Sequence, residues 1–253
     1  MEELTNRLRK LVASLDDPKV RDAEGLFVAE GTKCVLDTLP HFECRWLFAT
    51  ALWAETHSGD LQGVSPVIVK RADMERMSHL STAPQVMAVY RRPVYDTAPE
   101  EMKGRLTIAL DRVQDPGNLG TIMRVADWFG IDTIVCSRDT VDLFNPKVVQ
   151  ATMGAVSRVK VVYVDLPDFL GKCGVPVYGT FLDGTNIYKS ELTQEGIIVM
   201  GNEGQGISGA VEQCVDRRLL IPSYPDGRAT SESLNVGTAT AVTVAEFRRR
   251  TYK

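Results

Sequence analysis

From residue 105 onward the chain keeps returning to one pattern: a short, mostly apolar run, a turn rich in glycine, proline or aspartate, then a helical stretch. The apolar runs lie at 106–110, 134–136, 159–164, 177–181, 197–200 and 219–221. A strand that is apolar on both sides must be covered on both sides, which a mostly parallel sheet flanked by helices achieves. Helices expected over 119–129 (closed by Gly130), near 146–156 and over 234–250 would supply that cover, with DPGN at 115–118 as a turn. The pattern predicts an α/β domain whose ligands sit beyond the carboxyl ends of the strands.

The first hundred residues are patterned differently. Leu4, Leu8, Leu11 and Val12 recur at helical spacing, and 26–28 is extended. A second helix follows Gly31 through Val35, Leu36 and Leu39 and stops at Pro40, while 46–49, 67–69 and 86–90 read as strands. Residues 91–103 (RRPVYDTAPEEMK) hold two prolines, many charges and few apolar groups, which is linker chemistry. The expected division is a substrate-binding α/β domain over 1–95, a linker over 96–104 and a catalytic domain over 105–253.

Composition narrows the classes of function. No apolar run approaches the roughly 20 residues of a membrane helix, and the start MEELTNRLRK, with two glutamates and two arginines, is unlike a signal peptide, so a cytoplasmic protein without a membrane partner is expected. Cys34, Cys44, Cys136, Cys173 and Cys214 are odd in number and scattered, which suggests reduced thiols and neither a disulfide framework nor a metal site. The three histidines, His41, His57 and His79, lie far in sequence from the glycine-rich motifs and speak against a Ser–His or Cys–His centre. A net charge of −4 argues against a general nucleic-acid binder, but a local basic patch can coexist with an acidic whole.

Three segments that follow predicted strands can carry chemistry. In ALDRVQDPGNLGTIMRVADWFG (109–130), Asn118 has the side chain of a helix cap and Arg124 stands among apolar neighbours, where it can also be a solvated helix-face charge. In IIVMGNEGQGIS (197–208), Gly201, Gly204 and Gly206 let backbone groups approach a ligand, and Glu203 has no packing reason to be there. The glycine order is not that of a dinucleotide fold and no G-K-[ST] follows, which disfavours both an oxidoreductase and a P-loop. In LLIPSYPDGRATSESLNVGTATAVTVAEFRRR (219–250), Ser231 or Ser233 can cap a helix rich in small residues.

These segments together closely resemble the three motifs of the SpoU/TrmH family of SPOUT methyltransferases, on DPGNLGTIMR, VMGNEGQGIS and IPSYPDGRATSESLNV. The resemblance implies a SPOUT α/β domain with a C-terminal trefoil knot, bound S-adenosylmethionine and a homodimer. It places Arg124, Asn118, Glu203, Ser233 and Asn235 in the catalytic centre, and Gly201, Gly204, Ile221, Leu234 and Thr180 at the cofactor. The family serine falls at Ser233, since Leu234 and Asn235 follow it directly, with Ser231 as the alternative. Residues 7–39 resemble the L30e-like substrate-binding domain of many members, which commonly modify large-subunit ribosomal RNA. Lys10, Lys19, Arg21 and Lys33 are the candidate phosphate contacts there.

The implied reaction is RNA 2'-O-ribose methylation, on ribosomal RNA first and transfer RNA as the alternative. A non-catalytic RNA-binding assembly factor is the rival, disfavoured by the complete polar set Asn118, Arg124, Glu203 and Asn235. The family account has Arg124 take the hydroxyl proton. An arginine ordinarily stays charged to about pH 12.5, so deprotonating one near neutrality costs roughly 7 kcal/mol. A charged Arg124 that stabilises the alkoxide or a phosphate is equally consistent.

Overall fold

The computed structural model describes residues 3–225 and 231–251. The chain forms two compact units, 1–94 with 142–157 and 95–141 with 158–253. The second unit is therefore not one contiguous stretch, because residues 142–157 pack with the first.

The first unit holds α1 (Asn6–Ala13), α2 (Pro18–Glu24), β1 (Leu26–Glu30), α3 (Thr32–Thr38), β2 (Cys44–Ala49), α4 (Ala51–Thr56), β3 (Val67–Ile68), α5 (Arg71–Met77) and β4 (Val86–Arg91). Its four-stranded sheet runs β1-β4-β2-β3, with β4 antiparallel to both neighbours and β2 parallel to β3. Leu8 and Val12 of α1 pack with Val28, Phe48, Met74, Met77, Met87 and Val89 in one buried cluster. α2 starts on two signals at once: Asp17 accepts a hydrogen bond from Lys19 N at 2.8 Å, and Pro18 stands in the first turn. It stops at Gly25, whose φ of +62° is open to glycine at no steric cost.

The returning segment explains itself by its side chains. Phe144 lies 4.6 Å from Phe27, ring centre to ring centre, and Asp142 bonds the buried guanidinium of Arg21. Arg21 also donates to the carbonyls of Leu15 and Asp16, and it is 1% exposed. Arg21 was expected among the phosphate contacts. Its charge is instead consumed inside the unit, so it leaves that set. His79 is likewise structural: its Nδ1 and Nε2 face Glu30 Oε1 and the Ala13 carbonyl at 2.9 and 3.2 Å.

The second unit holds β5 (Leu106–Leu110), α6 (Pro116–Trp128), β6 (Thr133–Ser137), β7 (Lys160–Val164), α8 (Leu166–Lys172), β8 (Val177–Asn186), β9 (Gly196–Met200), α9 (Gly209–Glu212), β10 (Arg217–Leu220) and α10 (Val236–Arg249), while α7 (Pro146–Ala151) belongs to the first. All five strand pairs of its sheet, ordered β10-β8-β9-β5-β6-β7, are parallel. Every residue of β5 and β9 is buried, as continuous apolar runs require. Alternate side chains serve opposite faces. Ala109, Val135, Val177 and Val199 pack under Phe169 and Leu170 of α8, and Tyr178, of the other parity, meets Phe247 of α10 edge-on at 4.9 Å.

All five cysteines are free. Cys34, Cys136 and Cys173 are buried, and Cys44 and Cys214 half-buried. Burial pushes the Cys34 thiol up to about 12 and the Cys44 thiol up to about 11. Among the described residues no helix is long and apolar enough to cross a membrane, and no group of three or more His, Cys, Asp or Glu could hold a metal.

Candidate active site

The strand order reverses beside β5. From β5 the chain steps outward through β6 to β7, then returns to the other side of β5 through β8 and β9. The crevice beyond the carboxyl ends of β5 and β9 is the switch point where parallel sheets bind ligands. The segments leaving those two ends, 111–115 and 201–208, meet there: Asp111 is 2% exposed and its carboxylate accepts the Ser208 N–H at 2.6 Å.

DPGN is not a free turn but the start of α6. Asp115 caps the helix through the Asn118 N–H at 2.8 Å, and Pro116 follows it at the first position, where its missing N–H costs nothing. Because Asp115 does the capping, the Asn118 side chain is left to work elsewhere. Its Nδ2 donates to Glu203 Oε1, and its Oδ1 accepts from Asn235 Nδ2 at 2.8 Å. Asn235 caps α10 through Thr238 N at 3.2 Å; with its oxygen fixed there, its amide nitrogen must face Asn118. Three of the expected residues, from three separate segments, thus form one directed chain of amides ending on a carboxylate.

The other expected residues make no hydrogen bond to this chain among the described residues. Arg124 lies two turns further along α6, exposed, with no hydrogen bond or ion pair to any described residue. Ser233 is exposed just ahead of the α10 cap, and Leu234 is 47% exposed, unusual for a side chain of that size. Ile221 follows β10 directly and is half-buried. Thr180 on β8 donates weakly to the Val199 carbonyl of β9 at 3.4 Å. Residues 226–230 of the third motif, Gly227 among them, lie outside the described residues.

The glycines of the second motif differ in their reasons. A Cβ on Gly201 would stand 2.4 Å from the Gly206 carbonyl carbon, so that position admits glycine alone. Gly206 has φ +66°, the left-handed region. On Gly204 a Cβ would meet nothing closer than Asn202 Oδ1 at 3.6 Å, so its glycine is not forced by the loop itself. Asn202 was missed in the sequence although it organises the loop: its Oδ1 accepts from Gly204 N and Gln205 N at 2.9 and 3.1 Å, an Asx-type turn that asparagine favours.

A parallel sheet with polar side chains gathered at its switch point, and with a glycine-rich loop leaving β9, defines an α/β domain of the ligand-binding kind. The chain belongs to the SpoU rRNA Methylase family, whose pattern matches residues 105–245. Residues 6–88 match the MRM3-like substrate binding domain. The Bacillus subtilis 23S rRNA (guanosine(2553)-2'-O)-methyltransferase RlmP is 34% identical over 190 residues, covering 74% of this chain and 73% of its own. A solved structure from Porphyromonas gingivalis, assigned to the TrmH family of RNA methyltransferases, superposes with a TM-score of 0.86 at 39% identity, covering 98% of this chain and all of that one. The AdoMet-bound rRNA methyltransferase of Sinorhizobium meliloti gives a TM-score of 0.85 at 28% identity, covering 100% of this chain and 98% of its own.

Proposed function

We propose that this protein is an S-adenosylmethionine-dependent RNA 2'-O-ribose methyltransferase acting on large-subunit ribosomal RNA, and hence in the cytoplasm. The observation that carries the reading is the amide chain Asn235–Asn118–Glu203 at the switch point, with Arg124 on α6 unpaired among the described residues. The match of the B. subtilis 23S rRNA 2'-O-methyltransferase to about three quarters of both chains supports the choice of RNA.

The residues present suit the cofactor. S-adenosylmethionine carries a base, a ribose and a charged chain, and it needs backbone donors and acceptors, a hydroxyl and apolar cover. Gly201, Gly204 and Thr180 offer the first two, and Ile221 and Leu234 offer aliphatic surface left open to solvent or half-buried. Asn235 ties the segment holding Leu234 to the glycine loop through Asn118. The bound cofactor would supply an electrophilic methyl group.

The protein's own work is alignment and charge. Asn118 and Asn235 have their amide directions fixed, so together they hold the Glu203 carboxylate in one orientation. A positioned group of this kind raises rate by removing orientational freedom before reaction. Arg124 keeps its donors free of every described residue, which suits a guanidinium that meets a phosphate or a developing alkoxide. Ser233 stands ahead of the cap, within the same segment. In the first unit, Lys10 and Lys19 are exposed and offer charge to phosphate, while Lys33 is engaged by Asp37 at 2.7 Å.

The experiment that tests the reading is calorimetric titration with S-adenosylmethionine, followed by transfer of labelled methyl groups to ribosomal RNA from a strain lacking the gene. Micromolar binding and label on a ribose 2'-oxygen are expected; absence of either overturns it. We also read the protein as a homodimer, supported by Trp128 on α6, which is 85% exposed in the single chain. Light scattering should return about twice the 27.9 kDa chain mass, and a monomer that still transfers methyl groups refutes that reading.

A further inference from the structure

Arg112 lies two residues beyond β5 and has a backbone conformation that arginine seldom adopts, φ +59°. A non-glycine residue held in the left-handed region costs of order a kcal/mol and persists only where its surroundings fix it. Three groups do so. Its N–H donates to Ser137 Oγ at 2.9 Å, its carbonyl accepts from Asn202 Nδ2 at 2.9 Å, and its Nη1 donates to Gln205 Oε1 at 3.0 Å.

Asn202 and Gln205 are the two sides of the loop that carries Glu203. The loop is closed by the paired backbones of Asn202 and Gly206 at 3.1 and 2.8 Å. Asn202 therefore uses its nitrogen on the Arg112 carbonyl and its oxygen on the amides of Gly204 and Gln205. Arg112 grips this loop at both shoulders, leaving Glu203 between them to face Asn118. The guanidinium is drawn in far enough that its Nε is buried without a hydrogen-bond acceptor among the described residues, Asp111 Oδ1 standing 3.7 Å away. A strained backbone and an unsatisfied buried donor are two costs borne in one residue, and neither is needed for the sheet.

We propose that Arg112 is a positioning residue for methyl transfer: it clamps the Asn202–Gly206 loop so that the Glu203 carboxylate is held against Asn118. This rests on the function proposed above, and the test separates the two. Arg112→Gly removes the guanidinium while suiting the left-handed backbone, so the melting temperature should be unchanged or higher. In the ligand-free protein, the amides of Gly204 and Gln205 should then exchange with solvent about tenfold faster, as expected for losing a charged hydrogen bond that closes the loop.

With ribosomal RNA as acceptor, kcat should fall about tenfold with KM for RNA little changed, the mark of a lost transition-state alignment. Gln205→Ala, which leaves the Arg112 backbone alone, should give the same loss, and the double variant should be no worse than either single one. Unchanged amide exchange in Arg112→Gly overturns the clamp. So does unchanged kcat, or losses that add in the double variant. Should the wild-type protein transfer no methyl group at all, the proposed function falls, and the exchange measurement still decides whether Arg112 holds the loop.

Discussion

Replacing Arg124 by alanine is expected to lower methyl transfer about 10²–10³-fold, the loss seen when a positioned charge stabiliser is removed from a reacting centre. Affinity for S-adenosylmethionine should be nearly unchanged. The reason lies in placement: Arg124 bonds to no described residue, is exposed on α6, and is not among the buried residues of that helix. Its removal therefore perturbs little else, and the usual ambiguity between folding and function is small. Single-turnover transfer with calorimetry on the same preparation is the measurement. Arg124→Lys keeps a charge but not the planar fork, so it should recover only part of the rate. Replacing Lys10 and Lys19 together should do the converse, weakening RNA binding and reducing its salt dependence by roughly one unit of slope per lost phosphate contact, with cofactor affinity intact. If Arg124→Ala transferred methyl groups at the wild-type rate, the assignment of the switch-point crevice as the reaction centre would be lost.

The parallel sheet was legible because its signal is local. Runs such as 106–110 and 197–200 announce doubly covered strands by composition alone, and β5 and β9 fall on them to within a residue. The loop glycines were legible as a group, but not the reason for each: only coordinates show that Gly201 abuts Gly206, whereas Gly204 has room. DPGN reads as a turn because Asp, Pro, Gly and Asn are all turn formers, yet Asp followed by Pro is also a helix start, and here the helix wins. β8 runs on to Asn186, past the expected end at 181, because residues near 185 rejoin β10, a pairing with no local trace. The short α8 went unread because its seven residues contain Pro167 and Gly171, both poor helix formers.

The site itself was legible as a set of residue types and illegible as a network. Asn118 bonds Glu203 across 85 positions and Asn235 across 117. Nothing in the spacing says that Asp115 takes over the capping and frees Asn118 for those bonds. Nor does spacing reveal that Arg112 turns left-handed, since that conformation is imposed by Ser137 and Asn202 from outside its own segment. Charge misleads for the same reason. Arg21 stands two residues from Lys19 on the same helix, and its bonds to Asp142, 121 residues away, and to the Leu15 and Asp16 carbonyls make it a core residue.

That pair sets the largest stability effect expected in the first unit. The Arg21 guanidinium is 1% exposed and fully engaged: Nε and Nη2 donate to Asp142 Oδ2 at 2.9 and 2.7 Å, and Nη1 to the carbonyls of Leu15 and Asp16 at 2.7 and 2.8 Å. Asp142→Ala deletes the only carboxylate it is paired with among the described residues and strands a buried charge, which costs about 3–5 kcal/mol in general. Asp142 is 29% exposed, so water can reach the vacated space and the lower end, about 3 kcal/mol, is the better expectation. Asp142 Oδ1 also accepts the Phe144 N–H at 3.0 Å, and Phe144 carries the returning segment onto Phe27, so its loss should loosen that segment as well. Replacing both partners with aliphatic residues of similar volume removes the stranded charge and should restore most of the stability. Trp46 and Trp53 lie in this unit, and with Trp128 replaced by phenylalanine their fluorescence follows its unfolding alone. An unfolding free energy from urea titration for Asp142→Ala within about 1 kcal/mol of the parent would mean that Arg21 finds water or another acceptor when Asp142 is gone, and that residues 142–157 do not depend on this ion pair for their place in the first unit.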